Sequence, residues 1–166
     1  MSGIITNRLI IRSFTLNDWK GIQALAIDKE SYKSDPHDPS WPTSDKKCKA
    51  FVEYLVRMTD KFFAVCLKSD NTLIGLLSFT YSDGNRQLEL GYQIHSKYQD
   101  NNLDREALEG VINFAFELKN VLSIDSRTNP EWIEQIAPLK SSGFTPIEGD
   151  PGHLGITREN WRIRNK

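Results

Sequence analysis

Apolar residues recur along this chain at two spacings, every second position or every third and fourth, and each change of spacing marks a new element. Residues Arg8 to Phe14 alternate, with Leu9 and Ile11 against Ile10 and Arg12, and predict a short strand. Thr15-Leu16-Asn17-Asp18 then has the spacing of a capping box, followed by Trp19, Ile22, Leu25 and Ala26 at helical intervals. Ser31 to Pro42 is polar and interrupted by Pro36, Pro39 and Pro42, which predicts an irregular loop. A second helix is expected from Thr43 or Ser44 to about Met58, with Phe51, Tyr54, Leu55 and Met58 on its buried face. Phe62 to Leu67 is almost continuously apolar, as in a strand covered on both sides. Ser69-Asp70-Asn71 turns the chain into an antiparallel partner, Leu73 to Tyr81, and Asp83-Gly84-Asn85 turns it again.

The pattern then reaches its most informative stretch. Leu88, Leu90, Tyr92 and Ile94 alternate with Glu89, Gly91, Gln93 and His95 and predict a strand. Leu108, Val111, Ile112 and Ala115 form the stripe of a helix. Between them, Gln99-Asp100-Asn101-Asn102 offers backbone N–H groups backed by a helix N-terminus, a physical recipe for holding an anion. Beyond lie a strand from Val121 to Arg127 and a helix from Glu131 to Ser142 that Pro138 should kink or shorten. Gly143 is a C-cap candidate, and one more strand is expected around Leu154 to Thr157.

These elements form a single α+β domain spanning residues 1–166, since a chain of 166 residues without a linker or repeat is too short for two ordinary domains. A hydrophobic content of 39% with 26% charged residues is that of a globular protein. The net charge of −1 gives no electrostatic case for nucleic acid or an anionic membrane, and no signal-like start or membrane-length apolar run is visible. Cys48 and Cys66 lack metal-ligand spacing and read as reduced core thiols, which favours a cytoplasmic setting. His37 and His153 are isolated in sequence and predict no metal chemistry, and Arg12, Arg162 and Arg164 read as solvated.

In this order the elements resemble a GNAT-superfamily N-acetyltransferase, nearest the RimJ and RimL branch. TNRLIIRSFTLND resembles that branch's opening, with Thr6, Arg8, Leu9, Arg12, Phe14 and Asp18 in place. LIG…LELGYQIHSKYQ resembles its centre, through Ile74, Gly75, Glu89, Gly91, Tyr92, Ile94, Tyr98 and Gln99. REALEGVINFAFELKNV and Asn129-Pro130-Glu131 through Ser142-Gly143-Phe144 resemble its cofactor helix and ending. The resemblance implies a GNAT fold: a mixed, mostly antiparallel sheet flanked by helices. It implies acetyl-CoA as co-substrate and a primary amine, on a protein N-terminus or a small molecule, as acceptor. A monomer or a homodimer is compatible with it.

By the same resemblance Glu89 is the candidate catalytic base, its other reading being a solvated strand carboxylate or one paired with Arg86 or Arg127. Ile94 and His95 would bond the pantetheine arm through their backbone. Gln99, Asp100, Asn101, Asn102, Leu103, Asp104 and Arg105 would form the diphosphate turn, with Asn129 the remaining polar residue of the later motif. Tyr32, Trp41 and Tyr81 are candidates to line an acceptor pocket. The turn departs from the family's Q/R-x-x-G-x-G/A pattern. Asn102 and Asp104 replace the small residues, Asp100 and Asp104 place two acids where a diphosphate belongs, and Lys97 and Arg105 stand by to offset them. Trp132 and Gln135 replace the Asn and Ser of the later motif. These departures support an alternative: a GNAT-fold binding or regulatory module with weak or no coenzyme A binding.

Overall fold

The structure, a computed structural model, describes residues 3–32, 40–117 and 120–166, and the side chains of these except Tyr32 and Asp100. Its strands are β1 (Ile4–Ile5), β2 (Leu9–Arg12), β3 (Phe62–Leu67), β4 (Leu73–Ser82), β5 (Gln87–Ile94), β6 (Ser123–Arg127), β7 (Thr145–Ile147) and β8 (Asp150–Thr157). Its helices are α1 (Trp19–Tyr32), α2 (Asp45–Arg57), α3 (Leu103–Glu117), α4 (Ile133–Ser141) and α5 (Arg158–Arg164). The strands make one sheet in the order β1-β2-β3-β4-β5-β6-β8-β7, antiparallel throughout except for the parallel pair β5–β6.

Because strand side chains alternate, the sheet has two different faces. One carries Leu9, Ile11, Phe63, Val65, Leu77, Phe79, Leu88, Leu90, Ile94, Ile124, Leu154 and Ile156 and is covered by α3, α4 and α5. The other carries Ala64, Cys66 and Leu76 and is covered by α1 and α2 through Ile22, Leu25, Val52 and Leu55. The second cover lies over β2–β4. On that face β5, β6 and β8 carry Gln87, Glu89, Gly91, Asp125, Arg127 and His153 in their place.

Several sequence expectations shift. α2 starts at Asp45 behind Ser44, so its buried stripe is Cys48, Val52 and Leu55. Tyr54 is largely exposed, with its ring tilted onto Phe62, and Met58 caps the helix from outside it. The tail holds a β7–β8 hairpin and α5 rather than one strand: Glu148 and Gly149 take positive φ at the turn, and the Thr157 hydroxyl caps α5 by accepting from the Asn160 amide. Gly143, at φ +97, ends α4 in the left-handed region as its position predicts. Both cysteines are buried and free. The loop expected over residues 31–42 and His37 within it lie largely or wholly outside the described residues.

Arg12 is not solvated. Its guanidinium donates to both carboxylate oxygens of Asp18, at 2.9 and 2.8 Å, and to Asn71 Oδ1. Asp18 also accepts from the Thr15 amide, completing the capping box that starts α1. Arg164 likewise bonds the Ser141 carbonyl and approaches Glu109 at 3.9 Å.

Burial alone would raise the Asp18 carboxyl, but the bonds from Arg12 and Thr15 outweigh it and hold the group below the ordinary carboxylate range. A depressed carboxyl contributes stability that is fully present above the unfolded value of about 3.9 and is lost as pH falls through the lower folded value. Asp18→Asn should therefore cost about 3 kcal/mol in urea denaturation at pH 7, since it leaves Arg12 unpaired in a mostly buried place. The gap to the parent should close as the pH is taken below that range.

Candidate active site

β5 and β6 are joined at only three register pairs, Gln87 with Ser123, Leu88 with Ile124 and Glu89 with Asp125. Beyond Glu89 the strands part while β5 stays paired with β4 up to Ile94. The result is an opening in the sheet whose vertex is Glu89. On the β4 side the His95 amide donates to the Ile74 carbonyl at 2.9 Å. Amides alternate along a strand, so the Ile94 N–H points the other way, into the opening, with no partner among the described residues. The Ile94 carbonyl points there too and accepts from Gln99 Nε2 at 3.1 Å. Of the two residues expected to bond a ligand through their backbone, only Ile94 has its N–H available. His95 has given its amide to β4 and its carbonyl to Tyr98.

Glu89 is exposed on the polar face, and no ion pair joins it to Arg86, Arg127 or another described residue. Gly91, two residues on, lies against the Ser78 hydroxyl so closely that a Cβ would collide with it. That keeps the face beside Glu89 clear. Tyr81 and Trp41 do not line it: Tyr81 packs with Phe79 on the opposite face, and Trp41 meets Phe51 under α2. The side chain of Tyr32 lies outside the described residues.

The turn after β5 runs through a 3-10 segment, Ser96–Asn101, into α3. Asp28 of α1 caps it by accepting from the amide and hydroxyl of Ser96, with His95 Nδ1 3.4 Å away. Asn102 sits at φ 54, ψ 27, the left-handed conformation that a glycine would adopt freely and that asparagine tolerates best among the rest. Arg8 braces the turn from behind, donating to the carbonyls of Asn101 and Asn102 and to Glu106 of α3. The Thr6 hydroxyl donates to the same carboxylate at 2.6 Å.

Asp104 changes the picture at the helix N-terminus. Its Oδ1 accepts from the Arg105 amide at 2.7 Å, and its carboxylate also meets its own amide. It is almost wholly buried and, with Gln99, Asn102, Arg105, Glu134, Ala137, Pro138 and Ser141, lines a cavity of about 350 Å³ between α3 and α4. Arg105 offers it no charge, being paired with Glu109 at 2.9 Å, and Lys97 lies over the Tyr98 ring. Leu103 is buried in the core, whereas Asn101 is exposed; of Asp100 only the backbone is described. On the far wall the Tyr92 hydroxyl donates to the Gln135 carbonyl, tying β5 to α4 across the opening. Asn129 spends its side chain on the Glu131 amide, and Gln135 accepts from Thr128.

Sequence reasoning missed one pair. His153, isolated in the chain, places Nε2 2.8 Å from Asp125 Oδ2 on the neighbouring strand. No local signal marks it, because the partners are 28 residues apart and meet only through the β6–β8 register. Among the described residues no cluster of three or more His, Cys, Asp or Glu could hold a metal, and no helix is long and apolar enough to cross a membrane.

A sheet split beside a strand-turn-helix corner leaves a free strand edge next to a helix N-terminus. Residues 8–145 match the family described as Acetyltransferase (GNAT) domain. The chain belongs to the acetyltransferase (GNAT) domain family. Its relatives include the uncharacterized N-acetyltransferase YnaD of Bacillus subtilis, 27% identical over 141 residues, covering 85% of this chain and 81% of that one. Among solved structures, a GNAT-family acetyltransferase from Bacillus anthracis aligns with TM-score 0.80 at 21% identity, covering 95% of this chain and 99% of that one. The ribosomal-protein S5-alanine acetyltransferase of Vibrio fischeri aligns with TM-score 0.74 at 18% identity, over 96% and 98%. At these identities the structural likeness speaks for the fold. This GNAT domain is an α+β acetyltransferase of the kind that uses acetyl-CoA.

Burial raises the Asp104 carboxyl above the ordinary range, and its two amide bonds only partly offset this. A raised carboxyl makes the folded state bind its proton more readily, so the charge costs stability at neutral pH and that cost disappears as pH falls toward the unfolded value near 3.9. Asp104→Asn should melt roughly 2–4 °C above the parent at pH 7 by calorimetry, with the advantage shrinking toward pH 4.

Proposed function

We propose that this GNAT domain transfers an acetyl group from acetyl-CoA directly to a primary amine, with Glu89 as the base. The observation that carries the reading is the opening itself, which starts at Glu89 and presents one unpartnered strand amide, Ile94 N–H, a few residues along. The amine arrives protonated and must lose a proton before its nitrogen can attack a carbonyl carbon. Glu89, exposed and free of any ion pair, is placed to take it. Acetyl-CoA supplies the activated acyl group. Ile94 N–H can donate to an oxygen held in the opening as charge develops there, and Gln99 keeps the strand end that carries it in place. The pantetheine arm would add to β5 as an extra strand does. The diphosphate belongs at the α3 N-terminus, which fits it once Asp104 is displaced. The candidate acceptors on this reading are a small amine or a protein N-terminus, and one structural neighbour is named as a ribosomal-protein S5-alanine acetyltransferase. The reading places the protein in the cytoplasm, where acetyl-CoA is made available, as a monomer or homodimer.

Glu89→Gln should lower kcat by about 10²–10⁴-fold in a thiol-release assay while leaving acetyl-CoA affinity by calorimetry unchanged. Equal turnover by parent and variant would remove Glu89 from the chemistry.

Asp104 favours a second reading, a GNAT fold whose coenzyme grip is impaired. Its carboxylate already sits on the amide of Arg105, where a diphosphate would be bound. On this reading Asn102→Gly with Asp104→Gly restores affinity, and isothermal titration of parent and double variant with acetyl-CoA separates the two. Tight binding by the parent that the double change leaves untouched refutes impairment. Heat from the variant alone supports it.

A further inference from the structure

We propose that Asp125, held in place by His153 and Gln87, is a specificity-determining residue that selects protonated amines over neutral ones at Glu89. The proposal rests on the acyl-transfer reading above and names the acceptor class: an aliphatic ammonium, whether an α-amino group or a side-chain amine.

Asp125 is the register partner of Glu89 across the β5–β6 pair, so both side chains rise from the same face of adjacent strands, about 4.8 Å apart at the backbone. The two carboxylates differ in every other respect. Glu89 is exposed and unpaired. Asp125 is 5% exposed, with Oδ1 accepting from Gln87 Nε2 at 3.1 Å and Oδ2 in contact with His153 Nε2 at 2.8 Å. Gln87 comes from β5 and His153 from β8, so Asp125 is gripped from both neighbouring strands and cannot swing away. A carboxylate buried in this way needs such donors to remain charged. When His153 meets Oδ2 as a neutral imidazole, donating through Nε2–H, it adds no positive charge to cancel the acid. Among the described residues that β5, β6 and β8 place on this face, the other charged side chain is Arg127, opposite His153 in register, exposed and two residues past the vertex.

An acceptor that reaches Glu89 therefore stands at the strand vertex with a second, immobile negative charge beside it. A cationic amine gains from that charge before it surrenders its proton, whereas an amine that is neutral in solution gains nothing. The contrast separates this role from a purely structural one. Loss of a hydrogen-bonded rivet across three strands would disturb Glu89 for every acceptor alike.

The test compares phenethylamine, an ammonium at pH 7, with aniline, which is neutral there, in the full chain. Asp125→Asn should raise KM for phenethylamine about tenfold, the effect of one charge removed from a half-solvated site, and so lower the phenethylamine-to-aniline ratio of kcat/KM by the same factor. His153→Gln, which still donates to Asp125, should keep most of the preference, and His153→Leu should follow Asp125→Asn. A ratio unchanged in Asp125→Asn, with both acceptors slowed alike, overturns the proposal in favour of the rivet. Binding is read without turnover from the Asp125 carboxyl carbon signal of ¹³C-labelled protein. Phenethylamine should shift it, and N-acetylphenethylamine should not. If the parent acetylates neither amine, neither is an acceptor and the carboxyl titration decides the proposal: no shift with phenethylamine overturns it. Should Asp125→Asn fail to fold, the two His153 variants and the titration of the parent decide it.

Discussion

The molecule depends on a ladder that stops early. Three register pairs hold β5 to β6, and from Glu89 onward β5 is paired on one side only. An unpaired strand amide inside a domain is costly unless something takes it. Here the cost is confined to one edge. His95 is returned to β4, the Ile94 carbonyl is given to Gln99, and Ile94 N–H is left facing the gap. Everything around the gap keeps it from closing or widening. Below the vertex, Gln87, Asp125 and His153 bond across three strands, and above it the Tyr92 hydroxyl reaches α4. The opening is a built feature because its two ends are fixed by side chains independent of the missing ladder.

The N-terminal motif that resembles other family members acts at a distance from the chemistry. Thr6 and Arg8 both bond Glu106, and Arg8 also takes the carbonyls of Asn101 and Asn102. These bonds fix the direction in which the turn presents its amides to α3. Arg12 and Asp18, the later members of the motif, start α1 and anchor it against β2. α1 then reaches the same turn from the other side, through Asp28 on Ser96. The turn before α3 is thus held from both faces of the sheet. Short-range signals described this motif correctly as a capping box but read Arg12 as solvated, because its pairing with Asp18 and Asn71 is set by packing.

Legibility followed the range of the interaction involved. Alternation over Leu88–Ile94 and the helical stripe of α3 come from local periodicity, and the structure has both with the expected residues buried. The α2 stripe was misplaced because Tyr54 and Leu55 satisfy neighbouring phases, and the packing of Val52 and Leu55 on Ala64, Cys66 and Leu76 of the sheet decides between them. The β7–β8 hairpin was hidden by its turn, Glu148-Gly149, where a glutamate adopts a positive φ that its type does not announce. Of the candidate site, the turn was visible as strand-turn-helix spacing and Glu89 only through the family resemblance. The Asp125–His153 pair was not, since its members come together through the register of β6 with β8. The fate of the Asp104 carboxylate could be posed from the sequence as a conflict of charges, but its geometry, bonded to its own helix, required the fold.

That geometry is less final than a capped helix suggests. A carboxylate at a helix N-terminus normally has its pKa lowered, because the amides and the dipole favour the charge. At Asp104 the balance runs the other way: desolvation outweighs the amide bonds and the group is raised. Its neighbours add no counter-charge, Arg105 being committed to Glu109, and the Asp104 charge also pushes the buried Tyr92 phenol upward, although burial is the larger cause there. Asp104 is therefore a poorly stabilised occupant of the amides it holds. On the acyl-transfer reading proposed above, a diphosphate would bring more charge and more acceptor oxygens to these amides than the carboxylate that holds them. The amides at the start of α3 are thus held by a carboxylate whose charge its buried surroundings disfavour.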